Sequence, residues 1–521
     1  MAEKEYIVTL KKGVDADEFN SEMTASSGTG NIPNRTVDVA NARPKSIRNT
    51  HYGLEESEAQ DLKNDPRVED VEVPPDKIPN AVIGHDATRS GTYNKTTSST
   101  GTFQNWGLIR CQNETNNYGT GTTTSDNYNF TADGTGVDFI VQDSGIQTDH
   151  PEFQDSSGSN RWSTVDWYTA SGVSGTQNAN HDRDYDGHGT HCAGIAVGKT
   201  FGHAQGAKIY SQKLSGLEGT GDTGTGISIT DAFDCIKGWH NAKSGASAGR
   251  PTVVNMSWGY STTHNDLPSA LNYQGAAKSG TDIDSLAELR TFKYTAFPGS
   301  APYKTPLRVA SVDADIDEMI DAGIHICHSA GNNYYVHDLT TGSDYNNTYT
   351  IGAGTGYYNR GSSPYSVNAF NVGNIDSTAY SSTQDQKSQD STNGPAVDIY
   401  APGTYVMSAC STTNVKSGQN YYADSNFKQV NISGTSMSGP QVAGILCLLL
   451  SVNPQLTPAE LKTLVHSLCT TDKIYDPADG NFANWRNLNP GSTPKRFLFN
   501  PYTGANAVSY THLTLPTIYS V

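Results

Sequence analysis

From about residue 105 onward, short apolar runs alternate with helical segments, and this alternation limits the fold more than any other feature of the chain. A strand that is apolar along its whole length must be covered on both faces, and a parallel sheet with crossover helices provides that cover. Strands are predicted at 137–141, 208–214, 253–257 and 324–329, with helices beginning near His188, Ile227, Val312, Gly434 and Thr457. The last start is well marked, because Thr457-Pro458-Ala459-Glu460 combines an N-cap threonine, a proline at the first helical position and a glutamate three residues after the cap. The polar stretch 261–308 lacks periodicity and reads as an insertion.

At 521 residues the chain exceeds one ordinary domain. Residues 5–75 form a separate small α+β unit by pattern: a strand at 6–10, a helix at 15–23, an extended piece at 46–48, a helix at 55–63 and a closing strand at 68–73. Pro74-Pro75, Pro79 and a Ser/Thr/Gly/Asn-rich stretch from about 88 to 104 then predict a linker over 76–104, since such residues bury too little apolar surface to offset ordering. Residues 105–507 make up the large domain. The run 508–521 reads like a translated sequencing-library adapter and is set aside from the fold.

Composition excludes several classes of function. The net charge of −18, from 35 Lys plus Arg against 53 Asp plus Glu, repels a phosphate backbone, and no basic cluster interrupts it, so nucleic acid is not expected as a partner. The longest apolar run, 442–452, falls short of the roughly 20 residues that span a bilayer, so no membrane partner is expected. Seven cysteines (111, 192, 235, 327, 410, 447 and 469) show no metal-ligand spacing and read mostly as buried free thiols, with one or two disulfides left open. Signs of location conflict. The acidic start Met1-Ala2-Glu3-Lys4-Glu5-Tyr6 is unlike a secretory leader and fits an intracellular protein, whereas 51 Gly and 28 Tyr suit an extracellular or virion-associated one, which is slightly favoured.

Three separated segments carry residue types for nucleophilic chemistry. The strand Val137-Asp138-Phe139-Ile140-Val141-Gln142-Asp143 delivers Asp143 to its carboxyl end, where open α/β sheets form sites; alone, this aspartate would read as a turn residue. In Asp186-Gly187-His188-Gly189-Thr190-His191-Cys192-Ala193-Gly194, small residues surround His188 at a helix start. Metal binding by His188 and His191 is a minor reading, because no acidic third ligand stands at helical spacing. In Ser433-Gly434-Thr435-Ser436-Met437-Ser438-Gly439-Pro440-Gln441, Ser436 opens an apolar helix whose dipole favours developing negative charge, and Pro440 is expected in the first turn. An ordinary N-cap serine is the plainer alternative.

In the order Asp, His, Ser these segments resemble those of the subtilisin-like serine proteases, and with Asn105-Trp106-Gly107-Leu108 they are most similar to the proteinase K branch. The resemblance implies an α/β fold with a parallel sheet covered by helices on both faces, and a serine endopeptidase. In it Ser436 attacks the scissile carbonyl, His188 relays the proton and Asp143 orients the imidazole. His328-Ser329-Ala330-Gly331-Asn332-Asn333 resembles the family's oxyanion segment, which makes Asn332 the side-chain donor, and Cys192 matches the cysteine of that branch. Ser257, Trp258 and Gly259 would line the primary pocket, while Gly219, Gly221, Gly224 and Gly226 would form an opposing edge strand that grips an extended peptide. Trp258 departs from the family's usual small or aliphatic residue, as does Ser438-Gly439-Pro440-Gln441 from its usual Pro-His, and the latter change is not expected to inactivate.

Residues 5–75 resemble the inhibitor-type propeptide of the family, implying a ferredoxin-like prodomain that partners its own enzyme and is removed by a cut within the linker. The chemistry requires no cofactor. Asp398 reads either as a ligand of a structural Ca²⁺, which related proteases often bind there, or equally as a solvated surface aspartate. Two rivals stand beside the zymogen reading: a subtilase-like structural or binding module, which the complete triad disfavours, and a non-peptidase hydrolase, which the substrate strands disfavour.

Overall fold

The computed structural model describes residues 3–26, 33–42, 48–74, 87–95, 103–119, 121, 123–295, 300–413, 416–475 and 494–502. The chain divides into two compact units, Met1–Val82 and Ile83–Val521. The adapter-like run 508–521 lies outside the described residues, as do 46 and 47 of the extended piece predicted at 46–48.

In the first unit, Lys4–Leu10, Ala16–Thr24, Val39–Asn41, Asn49–Leu54, Glu56–Lys63 and Val68–Glu72 follow one another as β-α-β-β-α-β. The strands pair antiparallel in the order 39–41, 49–54, 4–10, 68–72, which is the ferredoxin-like arrangement. Asp15 caps the first helix by accepting from the backbone N–H groups of Asp17 and Glu18 at 2.9 and 3.0 Å. Phe19 and Met23, four apart and so on one helical face, pack with Tyr6, Val8, Tyr52 and Leu62 into a core of the unit's own.

The second unit is built on a six-stranded parallel sheet in the order Ile399–Pro402, Phe370–Ile375, His325–Ser329, Thr252–Met256, Asp138–Asp143, Lys208–Lys213. Helices cover both faces. On one, Ile229–Asn241 and Ala310–Asp321 bury Ile236, Ile316 and Met319 against Ile140, Val254 and Ile326. On the other, Thr435–Val452 packs beside His188–Val197. The strands 138–143 and 252–256 are neighbours although 208–213 lies between them in the chain, so strand order reverses between these two. The crevice beyond their carboxyl ends is therefore where a site forms in such a sheet.

Several expectations need correction. The segment Ala87–Asn94, predicted as linker, is a strand that pairs with Thr123–Phe130 residue for residue, because its polar side chains still leave the backbone free to form a ladder. The insertion is not patternless. Ser261–His264 pairs with Tyr303–Pro306, and Ala270–Tyr273 joins a four-stranded sheet that recruits Thr348–Ile351 and Gly354–Tyr357. This subdomain has its own core of Leu271, Ile283, Leu289, Tyr294, Tyr349 and Tyr358. Tyrosines supply its apolar volume, so aliphatic periodicity does not reveal it. The helix Thr435–Val452 is, over 18 residues, long and apolar enough to cross a membrane, yet 83% of it is buried inside the fold as the central core helix. Pro440 falls in its second turn, not its first. All seven cysteines are buried and unpaired.

Candidate active site

The reversal of strand order sets the site. Asp143 is the last residue of its strand and Ser257 the first beyond its neighbour, so both face the crevice. His188, the first residue of its helix, has Nδ1 2.9 Å from each carboxylate oxygen of Asp143. Nδ1 must then carry the proton, leaving Nε2 as the free base. Burial lowers the His188 pKa, but the charge and hydrogen bond of Asp143 outweigh it and hold the group well above the usual histidine value.

A second aspartate, unpredicted by motif, fastens this loop. Buried Asp184 accepts from Ser144 Oγ at 2.9 Å, from Gly187 N at 2.8 Å and from Thr190 N at 2.9 Å, tying the residue after Asp143 to both sides of His188. Burial raises its pKa, against which these donors act. The charged run Asp182-Arg183-Asp184-Tyr185-Asp186 was the only sequence signal, and nothing local separates Asp184 from its charged neighbours.

Ser436 stands in the first turn of the central helix, and its hydroxyl donates to the Ser257 carbonyl at 3.2 Å rather than to His188. Pro440 accounts for the other half of this contact. It removes the N–H that would reach the Ser436 carbonyl four residues back, and that carbonyl instead accepts from Ser257 Oγ at 2.9 Å and Cys192 Sγ at 3.4 Å. Cys192 Sγ also lies 3.8 Å from His188 Nδ1, and burial pushes its thiol pKa up, so it is a packed neutral neighbour and not a nucleophile.

Asn332 is held from one side. Its Oδ1 accepts from Thr435 N at 2.7 Å and Thr435 Oγ1 at 2.8 Å, which determines the amide orientation and leaves Nδ2 as the free donor. A Cβ on Gly434 would sit 3.2 Å from that Nδ2, and Gly434 has a φ of +152°, so glycine is needed there on both counts. Ser257, Trp258, Gly259, Asn332 and Ser436 line a common cavity of about 290 Å³. Trp258 packs against Phe233 and Tyr260, filling space that a smaller residue would leave open.

Gly219, Gly221, Gly224 and Gly226 do not line this cavity and do not form an edge strand. The first three have φ of +81°, +93° and +84°, and the N–H groups of Gly224 and Gly226 turn inward to Glu218. These residues make turns, and the backbone donors of Gly224 and Gly226 are spent on the loop's own carboxylate. His191 is likewise no metal ligand, since its Nε2 faces the carbonyls of Val406 and Val430 at 3.1 and 3.0 Å and must carry a proton. Asp398 does not fit a calcium ion. Lys462 Nζ already lies 2.9 Å from its Oδ1, and Asn371 N donates to Oδ2 at 3.0 Å. Gln441, the departure from Pro-His, exchanges two 3.0 Å hydrogen bonds with Asn105 and a third of 2.9 Å with His203, all within the core.

Known proteins resemble this chain over most of its length. The model of the "Subtilase family" matches residues 134–483. A cuticle-degrading serine protease of Arthrobotrys oligospora is 27% identical over 464 residues, covering 86% of this chain and 81% of the relative. Alkaline serine exoprotease A of Vibrio alginolyticus is 24% identical over 85% of this chain and 59% of its own length. Among solved structures, a cold-adapted subtilisin-like serine proteinase aligns with a TM-score of 0.46 at 22% identity, over 76% of this chain and 97% of that one. With the family model matching more than half of its residues, the chain belongs to the subtilase family and is a subtilisin-like serine endopeptidase.

Proposed function

We propose that Ser436, His188 and Asp143 form the catalytic triad, and that the enzyme is made as a zymogen with residues 5–75 as its inhibitory propeptide. The observation that carries the reading is the symmetric hydrogen bonding of His188 Nδ1 to Asp143 at the head of the sheet, across Cys192 from Ser436. Rotation of the Ser436 hydroxyl away from Ser257 towards Nε2 makes it the nucleophile; hydrogen bonds of this kind are often loose before substrate binds. His188 takes the hydroxyl proton as the Ser436 Oγ–carbon bond forms, then returns it to the leaving amine. Asn332 Nδ2 and the Ser436 backbone N–H receive the oxyanion.

The zymogen half of the reading is supported by a separate compact unit with its own core and by a Pro-rich exit after its last strand. Processing is expected between residues 77 and 104, outside the paired strand Ala87–Asn94. Wild type and Ser436→Ala chains, compared by fluorophosphonate labelling and intact mass, test both halves. Labelled wild type starting within that window, with an unlabelled full-length variant, is the expected result. An unlabelled wild type removes the triad reading, and a labelled, active, full-length wild type removes the propeptide.

A further inference from the structure

The cavity beside Ser436 has one wall that the parallel sheet does not supply. Ser257, Trp258, Ser329 and Asn332 come from the ends of central strands, whereas Ser261, Lys304 and Pro306 come from the two-stranded ribbon of the insertion. Strand alternation explains why these residues face the pocket. Thr305 is fully buried and Tyr303 packs against the tyrosine core, so Lys304 and Pro306, on either side of Thr305, project to the opposite face. Ser261 pairs with Pro306 and Thr263 with Lys304, and Tyr335 donates a hydrogen bond to the Lys304 carbonyl, fixing the ribbon at the rim.

Among the described residues, Lys304 is the only charged side chain lining the cavity. Two other cations of the subdomain are paired: Lys293 with Asp344, and Arg308 with Asp313 at 2.8 Å. Among the described residues the Lys304 ammonium has no ion pair or hydrogen bond, and the side chain is exposed at the rim. Ser329, Ser362 and Thr392, which also line the cavity, carry hydroxyls able to donate to an anion. In a chain of net charge −18 this is an isolated positive spot at the mouth of a neutral, hydroxyl-lined pocket.

We propose that Lys304 makes this pocket select an acidic side chain, so that the enzyme cleaves preferentially after Glu or Asp. The inference rests on the active-site reading above and names the substrate class of that same site. It assigns the insertion a role, which is to carry a specificity charge to the pocket rim. Because the ammonium is exposed, the discrimination expected is that of a solvated ion pair, about three- to fivefold in kcat/KM.

The test uses the processed enzyme and its Ser436→Ala twin with fluorogenic peptides that differ only in the residue contributing the scissile carbonyl: Glu, Gln, Asp, Asn, Leu or Lys. Glu and Gln match in shape and differ in charge, so their ratio of kcat/KM isolates the effect. Wild type should favour Glu over Gln and Lys, and the Glu:Gln preference should disappear in Lys304→Met, reverse in Lys304→Glu and persist in Lys304→Arg. It should also shrink as salt rises from roughly 0.02 M to about 1 M, where exposed charges are screened. Hydrolysis that depends on Ser436 but shows no preference for Glu over Gln, or a preference that Lys304→Met leaves intact, overturns this inference alone. If no peptide is cut in a Ser436-dependent way, the active-site reading falls and this one falls with it.

Discussion

The two compact units handle charge in opposite ways. Among the described residues of the first, no ion pair is wholly buried: Arg48 with Glu69 has side-chain exposures of 35% and 55%, Lys63 with Asp70 of 42% and 55%, and even Arg67 with Asp65 of 32% and 3%. In the second, Arg110–Asp385 and Lys213–Asp222 are wholly buried, the former joining residues 275 apart in the chain. Burying a pair costs desolvation, repaid only when geometry and further hydrogen bonds are good, so such pairs add little net stability while making their removal expensive. The small unit is held by its apolar core. The large one also uses buried polar links that only the complete fold can satisfy.

Acid should expose this difference most strongly. Burial drives His191, His203, His325 and His328 down to about 3, so these side chains fold neutral. Their unfolded counterparts bind protons from about pH 6.5 downward, so the stability they confer is present above 6.5 and lost as pH falls towards 3. Each contributes about 1.4 kcal/mol per pH unit, so the second unit should weaken on the order of 5 kcal/mol per pH unit below 6. Asp182, raised to about 6 by burial, works in the opposite sense and only partly offsets this. All six tryptophans lie beyond residue 82, so denaturant unfolding of the Ser436→Ala chain read by tryptophan fluorescence reports this unit alone. A flat profile between pH 6.5 and 4.5 would break the comparison.

Next in size, Arg110→Met should cost about 3–5 kcal/mol by the same fluorescence readout, because it strands the Asp385 carboxylate in the core. A smaller loss would mean that water reaches that site. In the crevice, Asn332→Ala should lower kcat by about 10²–10³ with KM little changed, since its free amide hydrogen acts mainly in the transition state. An effect confined to KM would assign Asn332 to substrate binding. The pH–rate profile should rise well above pH 6.5, because the raised His188 pKa keeps the base protonated below it, and Asp143→Asn should move the midpoint down. Smallest of all, Arg48→Ala should cost under about 1 kcal/mol, measured by hydrogen exchange in the strands Lys4–Leu10 and Asn49–Leu54.

Motifs whose partners are local were legible. The cap at Thr457 is observed as a reciprocal bond with Glu460, and the strands around Asp138, Lys208, Thr252 and His325 lie within a residue or two of their apolar runs. Glycines 219–226 misled because a Gly-rich run permits both an extended edge and successive left-handed turns, and Glu218 decides between them from within the loop. Asp184 and Lys304 were overlooked for the same reason: a charged residue gains its role from what faces it, here Ser144 and Thr190 in one case and an unneutralised pocket rim in the other.

The α/β class and the separate first unit were legible because periodicity and short-range capping are properties of neighbouring residues, whereas the segments around Asp143, His188 and Ser436 stood out through their family resemblance. Long-range contacts settled the rest: strands 138–143 and 252–256 lie side by side, the Ser436 carbonyl left free by Pro440 finds Ser257 and Cys192, and Gln441 closes on Asn105 across 336 residues. Each is a contact between segments far apart in the chain, satisfied by geometry that no local pattern encodes.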